Sequence, residues 1–232
     1  MTFDLIVKGG LLPDGRQADI AIAAGRIAAV EPGITAQARE VIDATGRLVS
    51  PPLIDCHFHM DATRSYGRPR VNTSGTLLEG IALWGELKAL QSREDIVARA
   101  LDYCRQAMGK GVLAIRSHVD VTDPNFRTVE ALLEVRDIIK GKIDLQLVAF
   151  PQDGWLRAAG GEARVIRALD AGVDVVGGIP HFERSMADGA AAVRAACRLA
   201  AERGLMVDLH CDETDDPLSR HIEPLAAETI AF

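Results

Sequence analysis

The stretch Leu48-Val49-Ser50-Pro51-Pro52-Leu53-Ile54-Asp55-Cys56-His57-Phe58-His59-Met60-Asp61 decides how this chain is read. It is an apolar run, entered with two prolines, that ends in ionisable residues. In an extended strand, residues two apart point to the same face. His57 and His59 therefore aim together, and both imidazoles can reach one metal ion. Cys56 and Phe58 are expected on the opposite face, with Cys56 as packing. Imidazole nitrogen suits Zn²⁺, and also Fe²⁺ or Mn²⁺. An isolated His-x-His is a weak signal. At the end of the first strand of a parallel series it is a strong one.

The grammar differs on the two sides of this stretch. Upstream, Phe3–Val7, Asp19–Ala23, Arg26–Val30 and Glu40–Asp43 read as short strands, punctuated by Gly9-Gly10, Pro13-Asp14-Gly15, Gly25 and Pro32-Gly33. Residues 1–48 are thus expected to form part of a small β-sandwich unit, with nothing in it that suggests chemistry. Downstream, further apolar runs begin at Gly111, Ile143, Val173 and Met206. Runs of this kind suit strands buried on both faces of a parallel sheet.

Helical stretches lie between the runs. Ser92 with Asp95 opens one, followed by Ile96, Val97, Ala100, Leu101, Cys104 and Met108 on one face. Others run over 128–140, 162–171 and 188–203, the last two stopped by Gly172 and Gly204. A sixth is expected to start near Asp216-Pro217. Residues 49–232 therefore read as α/β, the first five strands of a (β/α) barrel. A complete eight-stranded barrel takes ~250 residues, more than this stretch supplies.

The chain has 232 residues, 48% of them apolar and 25% charged, which excludes a disordered chain. A net charge of −7 with no basic run argues against nucleic acid or an anionic membrane as partner. The absence of a long apolar segment or signal peptide suggests a cytoplasmic protein. Its four cysteines are then expected to be thiols.

Each apolar run ends in polar residues, and in parallel α/β folds those ends form one rim that holds the site. Five of the six histidines sit there: His57, His59, His118, His181 and His210, but not His221. A lone histidine is usually structural; five on one rim are hard to explain so. His210 is a candidate third metal ligand. Glu213, just beyond it, can move protons at a metal-bound water. The competing reading of Glu213, Asp212, Asp215 and Asp216 is a solvated acidic loop. His181-Phe182-Glu183 matches the H-x-E of cytidine-type zinc deaminases, but no P-C-x-x-C follows, which excludes that class.

With these residues in place, the chain resembles the amidohydrolase superfamily, and within it the bacterial cytosine deaminases. The resemblance rests on the N-terminal β unit, His57-x-His59, Ser74–Gly80, Ser117–Val121, Val148–Gly154, Gly178–Glu183 and His210–Glu213. It implies one divalent metal ion, Zn or Fe, held by His57, His59 and His210. It implies Glu213 as the proton-moving catalytic residue. Gln152 would bond the amide edge of a pyrimidine and Leu77 would line its pocket. Asp61, His118 and His181 would support the site.

The implied reaction is hydrolytic deamination of a cyclic amidine, foremost cytosine to uracil and ammonia. Creatinine, isocytosine or an amino-triazine amide are alternative substrates, and a truncated or degenerate non-catalytic chain is the alternative of a different class. The family also uses a later histidine and a later aspartate, which would lie beyond Phe232. The chain is therefore expected to be the front part of a longer enzyme, homo-oligomeric when intact. Alone it is expected to have an incomplete metal shell and little activity.

Overall fold

A computed structural model describes residues 2–231. The chain divides into two compact units, residues 1–52 and 53–232. In the first, β1 (Phe3–Leu11), β2 (Gln17–Ala23), β3 (Arg26–Glu31) and β4 (Ala38–Asp43) form one sheet in the order β3-β2-β1-β4. The first three strands are antiparallel neighbours, and β4 runs parallel to β1. Ala24 (φ 50°) and Gly25 (φ 71°) make the two-residue turn between β2 and β3. Positive φ at both positions gives a hairpin turn whose twist matches its strands. Ile6, Ala21 and Ile34 form the small core of this unit. Beside them the buried Asp19 carboxylate accepts the Gly9 and Ile34 N–H groups, each at 2.8 Å.

The second unit is a parallel sheet of five strands, β5 (Leu53–Phe58), β6 (Val112–Asp120), β7 (Asp144–Phe150), β8 (Val175–Gly178) and β9 (Met206–Leu209), in sequence order. The connections are helical: α1 (Leu77–Leu90) and α2 (Arg93–Gly109), then α3 (Arg127–Ile139), α4 (Gly161–Asp170) and α5 (Met186–Arg203). A last helix, α6 (Ile222–Ala231), follows β9. Ser92 and Ser185 cap α2 and α5 by accepting the N–H groups of Asp95 and Asp188. Gly204 (φ 64°) ends α5 in the left-handed region.

Two expectations are corrected, and one helix has no counterpart among the stretches read from the sequence. Residues 77–90 carry no helical stripe in the sequence, yet they form α1. Leu77, Leu78, Ile81, Leu83, Trp84, Leu87 and Leu90 are spread around it, so no single apolar face exists to be read. The last helix starts at Ile222 rather than near Asp216, because the Asp212 carboxylate accepts the N–H groups of His221 and Ile222 and fixes the first turn there. The strands are also not apolar on both faces. Ile115, Leu145, Leu147 and Ala149 pack under the helices with Ile96, Leu132 and Val165. The alternate positions Arg116, His118, Gln146 and Asp208 bond one another on the opposite face.

Gly177 in β8 touches its neighbour strand. A Cβ there would lie 2.5 Å from the Ala149 carbonyl oxygen and 2.9 Å from Val148 Cγ1. Backbone cannot yield as a side chain can, so Gly177→Ala is expected to destabilise the unit by about 1–3 kcal/mol, read from urea unfolding. An unchanged midpoint would mean the strands separate freely at this point.

Candidate metal centre

β5 does not alternate simply. Its pairing with β6 shifts register between Asp55 and Phe58, the mark of a bulge. The bulge puts Cys56 on the face expected for the histidines. Cys56 is exposed and lines a groove with Ile54, Ala114 and Arg116, so its expected packing role is corrected. Phe58 does turn toward the helices, stacked on Tyr103 at 4.2 Å between centroids. That groove, about 710 Å³, collects no histidine.

The histidines converge at the other end of the strands. His57, His59, His118 and His210 each offer a nitrogen, and these atoms lie within 4.8 Å of one another. His59 Nε2 and His210 Nε2 are 3.1 Å apart. The ring centroids of His57 lie 5.5 Å from His59 and 4.7 Å from His210. His118 is closer to this set than a supporting residue need be, 4.6 Å from His210 and 4.7 Å from His57. It is fully buried. Its Nε2 meets Asp208 Oδ1 at 3.2 Å and its Nδ1 meets the Phe58 carbonyl oxygen at 3.4 Å. With both its nitrogens engaged, His118 stands behind the other three.

The electrostatics leave two of the rings in the form that binds a metal. Burial, then the neighbouring imidazoles of His118 and His57, hold the His59 pKa down at about 3. Burial and the rings of His118, His59 and His57 do the same to His210, also about 3. Both rings are neutral at pH 7 and present lone pairs, the form a metal binds. His210 Nδ1 is buried without a protein partner. Neutral imidazoles, with a carboxylate bonded to the histidine behind them, fit a Zn-type divalent ion. Asp208 is that carboxylate. The His118 hydrogen bond and the Arg116 guanidinium outweigh its burial and hold its pKa near about 2.

A cavity of about 280 Å³ opens on these rings. Its lining brings together His57, His59 and His210 with Asp61, Leu77, Gln152 and Glu213, all expected from the sequence. His181 lies outside it, and its Nδ1–H donates to the His210 carbonyl oxygen at 2.9 Å. Asp61 is buried, and Oδ2 accepts the Asp120 N–H at 2.8 Å. Burial, with the Asp120 charge, pushes its pKa up to about 7.

Sequence reasoning missed Ile81 and Trp84, which share the cavity wall with Leu77. Spacings of four and three residues were the available signal, lost because α1 itself went unread. The competing reading of Asp212 as part of a solvated loop does not hold. That carboxylate accepts from Ser219 Oγ at 2.6 Å and from His221 N at 2.8 Å, and Oδ1 lies 3.0 Å from His221 Nδ1. It is a structural anchor, not a solvated charge.

A sequence profile described as the amidohydrolase family matches residues 40–232. The chain belongs to the amidohydrolase family. It is 31% identical to N-isopropylammelide isopropyl amidohydrolase of Pseudomonas sp. (strain ADP), over 98% of this chain and 58% of that one. It is 32% identical to pterin deaminase of Rhizobium rhizogenes, over 92% of this chain and 49% of that one. Among solved structures it superposes on Klebsiella pneumoniae 5-methylcytosine deaminase liganded with 5-fluorocytosine, with a TM-score of 0.92, 40% identity and coverage of 97% and 55%. N-isopropylammelide isopropylaminohydrolase of Burkholderia multivorans gives a TM-score of 0.81 at 28% identity, with coverage of 100% and 58%. The chain spans about half the length of these relatives. Its second unit is the half-barrel of that family, a deaminase-like chain with a histidine cluster able to hold a metal. Among the described residues no helix is long and apolar enough to cross a membrane.

The shifted groups set a pH dependence in the chelator-treated protein. Unfolded, each of His59 and His210 takes up a proton near its ordinary 6.5; folded, only near about 3. Their contribution is complete above about 6.5 and is lost as pH falls toward 3. Asp61 acts oppositely, since its raised pKa of about 7 against an ordinary 3.8 gives stability lost as pH rises through that range. Asp61→Asn is therefore expected to steepen the fall of the urea midpoint between about pH 6 and 4. An identical slope in both proteins would contradict the raised pKa.

Proposed function

We propose that this chain forms the metal-binding and ring-reading part of a hydrolytic deaminase of cyclic amidines, with cytosine or 5-methylcytosine as the foremost substrates. The observation that carries the reading is the single cavity shared by three histidines, Glu213 and Gln152. The 40% identity to a 5-methylcytosine deaminase supports the pyrimidine class. The sequence family uses zinc or iron, and the imidazole set accepts either.

His57, His59 and His210 would hold the ion. A bound divalent cation supplies a Lewis acid and lowers the pKa of water to about 7. Glu213 holds a proton at its carboxyl and delivers it to the ring nitrogen beside the amine-bearing carbon, which makes that carbon more electrophilic. Gln152 offers an N–H₂ to the ring carbonyl and a carbonyl to the ring N–H. A wrong ring leaves that amide unpaired and binds weakly. Leu77, Ile81 and Phe150 supply apolar wall. The oxygen of water adds to the amidine carbon, one of its protons replaces the one Glu213 delivered and the other passes to the amine nitrogen, the C–N bond breaks, and ammonia leaves with a ring carbonyl formed.

A second reading is favoured by the alignment over 98% of the chain with an N-isopropylammelide amidohydrolase. There the leaving group is an alkylamine on a triazine, and the chemistry at carbon is the same. A panel of cytosine, 5-methylcytosine, isocytosine, creatinine and amino-triazines, assayed for amine release and for binding by calorimetry, separates the two. Pyrimidines are expected to lead by roughly ten-fold or more. A lead for the triazines would transfer the proposal to that class, and binding of no ring would end it.

In the intact enzyme, Glu213→Gln is expected to leave metal content unchanged and to lower ammonia release by about 10²-fold or more. A fully active variant would remove Glu213 from the proton transfer.

A further inference from the structure

Gln152 sits in the loop after β7, Pro151-Gln152-Asp153-Gly154-Trp155. Its backbone N–H bonds the Phe150 carbonyl at 3.1 Å, and its side chain lines the cavity. Where that amide sits is therefore decided by what holds the loop backbone. Two charged side chains from elsewhere in the unit do so.

On one flank is Lys88, near the end of α1. Its ammonium donates to Asp120 Oδ2 at 2.9 Å, Thr122 Oγ1 at 2.8 Å and Asp153 Oδ2 at 2.9 Å. Three donors meet three acceptors, so nothing of the ammonium is left for a substrate. The side chain is only 11% exposed. Trp84, one turn earlier, donates Nε1–H to the same Asp120 Oδ2 at 2.7 Å. The helix that carries Leu77, Ile81 and Trp84 to the cavity is thus tied to the residue next to Gln152.

On the other flank is Glu183, beyond β8. Its carboxylate accepts three successive N–H groups: Trp155, Leu156 at 3.1 Å and Arg157 at 2.7 Å. The loop packs so closely there that a Cβ on Gly154 (φ 98°) would lie 2.8 Å from Arg157 Cβ and 3.2 Å from Glu183 Oε1. This gives the H-x-E sequence at 181–183 a role unrelated to the deaminase class excluded above.

We propose that Lys88 and Glu183 are positioning residues that clamp the Gln152 loop between them, so that the amide and the Leu77–Trp84 wall present one fixed ring-shaped recess. The recess being for a pyrimidine rests on the deaminase reading; the clamp itself does not.

Asp153→Ala is the informative variant, because Asp153 is half exposed and Lys88 keeps Asp120 and Thr122. Hydrogen exchange is measured on the metal-loaded protein. Amides of 152–157 are expected to exchange about ten-fold faster in the variant, with β6 and β7 unchanged. Unchanged protection in the loop overturns the clamp. In binding titrations, the variant is expected to weaken cytosine about ten-fold with Zn²⁺ affinity unchanged, and to add nothing in a Gln152→Ala background. An equal loss in both backgrounds shows a structural defect unrelated to Gln152 and overturns the positioning role. Binding of no ring by the unmodified protein overturns the deaminase reading instead, and the exchange result still decides the clamp.

Discussion

Two imidazole nitrogens, His59 Nε2 and His210 Nε2, approach to 3.1 Å at the ends of β5 and β9. The remaining features of the site follow from that contact. Burial and the neighbouring imidazoles keep both rings neutral, each with a pKa of about 3. A neutral pair this close either shares one N–H between its nitrogens or turns its lone pairs on a common cation. The two residues are 151 positions apart and come from the two outer strands of the sheet. All three strands between must hold their order and register for the rings to meet. The metal set is thus a property of the whole half-barrel rather than of a local motif.

The same requirement explains why one face of the sheet is polar. A cation held by imidazoles is favoured by negative charge nearby, and a bare carboxylate in that interior would be costly. Asp208 lies two residues before His210, on the same face by strand alternation. Arg116 Nη1 meets Asp208 Oδ2 at 2.8 Å, while Arg116 Nε donates to Gln146 at 2.7 Å. His118 takes the other Asp208 oxygen. The carboxylate is kept ionised by partners that are themselves satisfied, and it lies behind the histidine set, bonded to the His118 ring.

The sequence made the strand-borne part of this legible because strands have period two and end at a common rim. His57, His59 and His210 follow from that rule with five short apolar runs, and so does the parallel order of β5 to β9. The rule failed where geometry departs from it. The bulge after Asp55 moves Cys56 to the histidine face without any residue that announces it. α1 was invisible because its apolar residues are spread around it and leave no stripe. Lys88 and Trp84 were invisible with it, since Lys88 acts through Asp120 and Asp153, 32 and 65 positions away, and Trp84 through Asp120, 36 away.

Loops pose a different problem from strands. Glu213 and Gln152 must be placed as accurately as the histidines, yet neither has a ladder of backbone bonds to hold it. Asp212 shows how this chain solves that. It takes a left-handed backbone (φ 62°), which turns the chain out of β9 just before Glu213. Its carboxylate then binds the start of α6 through His221 and Ile222. His221 fills the space that this leaves: a Cβ on Gly189 would come within 2.1 Å of its Nε2, so α5 can carry only glycine there. An acidic residue in a loop of acids looks solvated by composition. Four bonds to one carboxylate make it a cap, and the loop that carries Glu213 inherits the rigidity of the helix it caps.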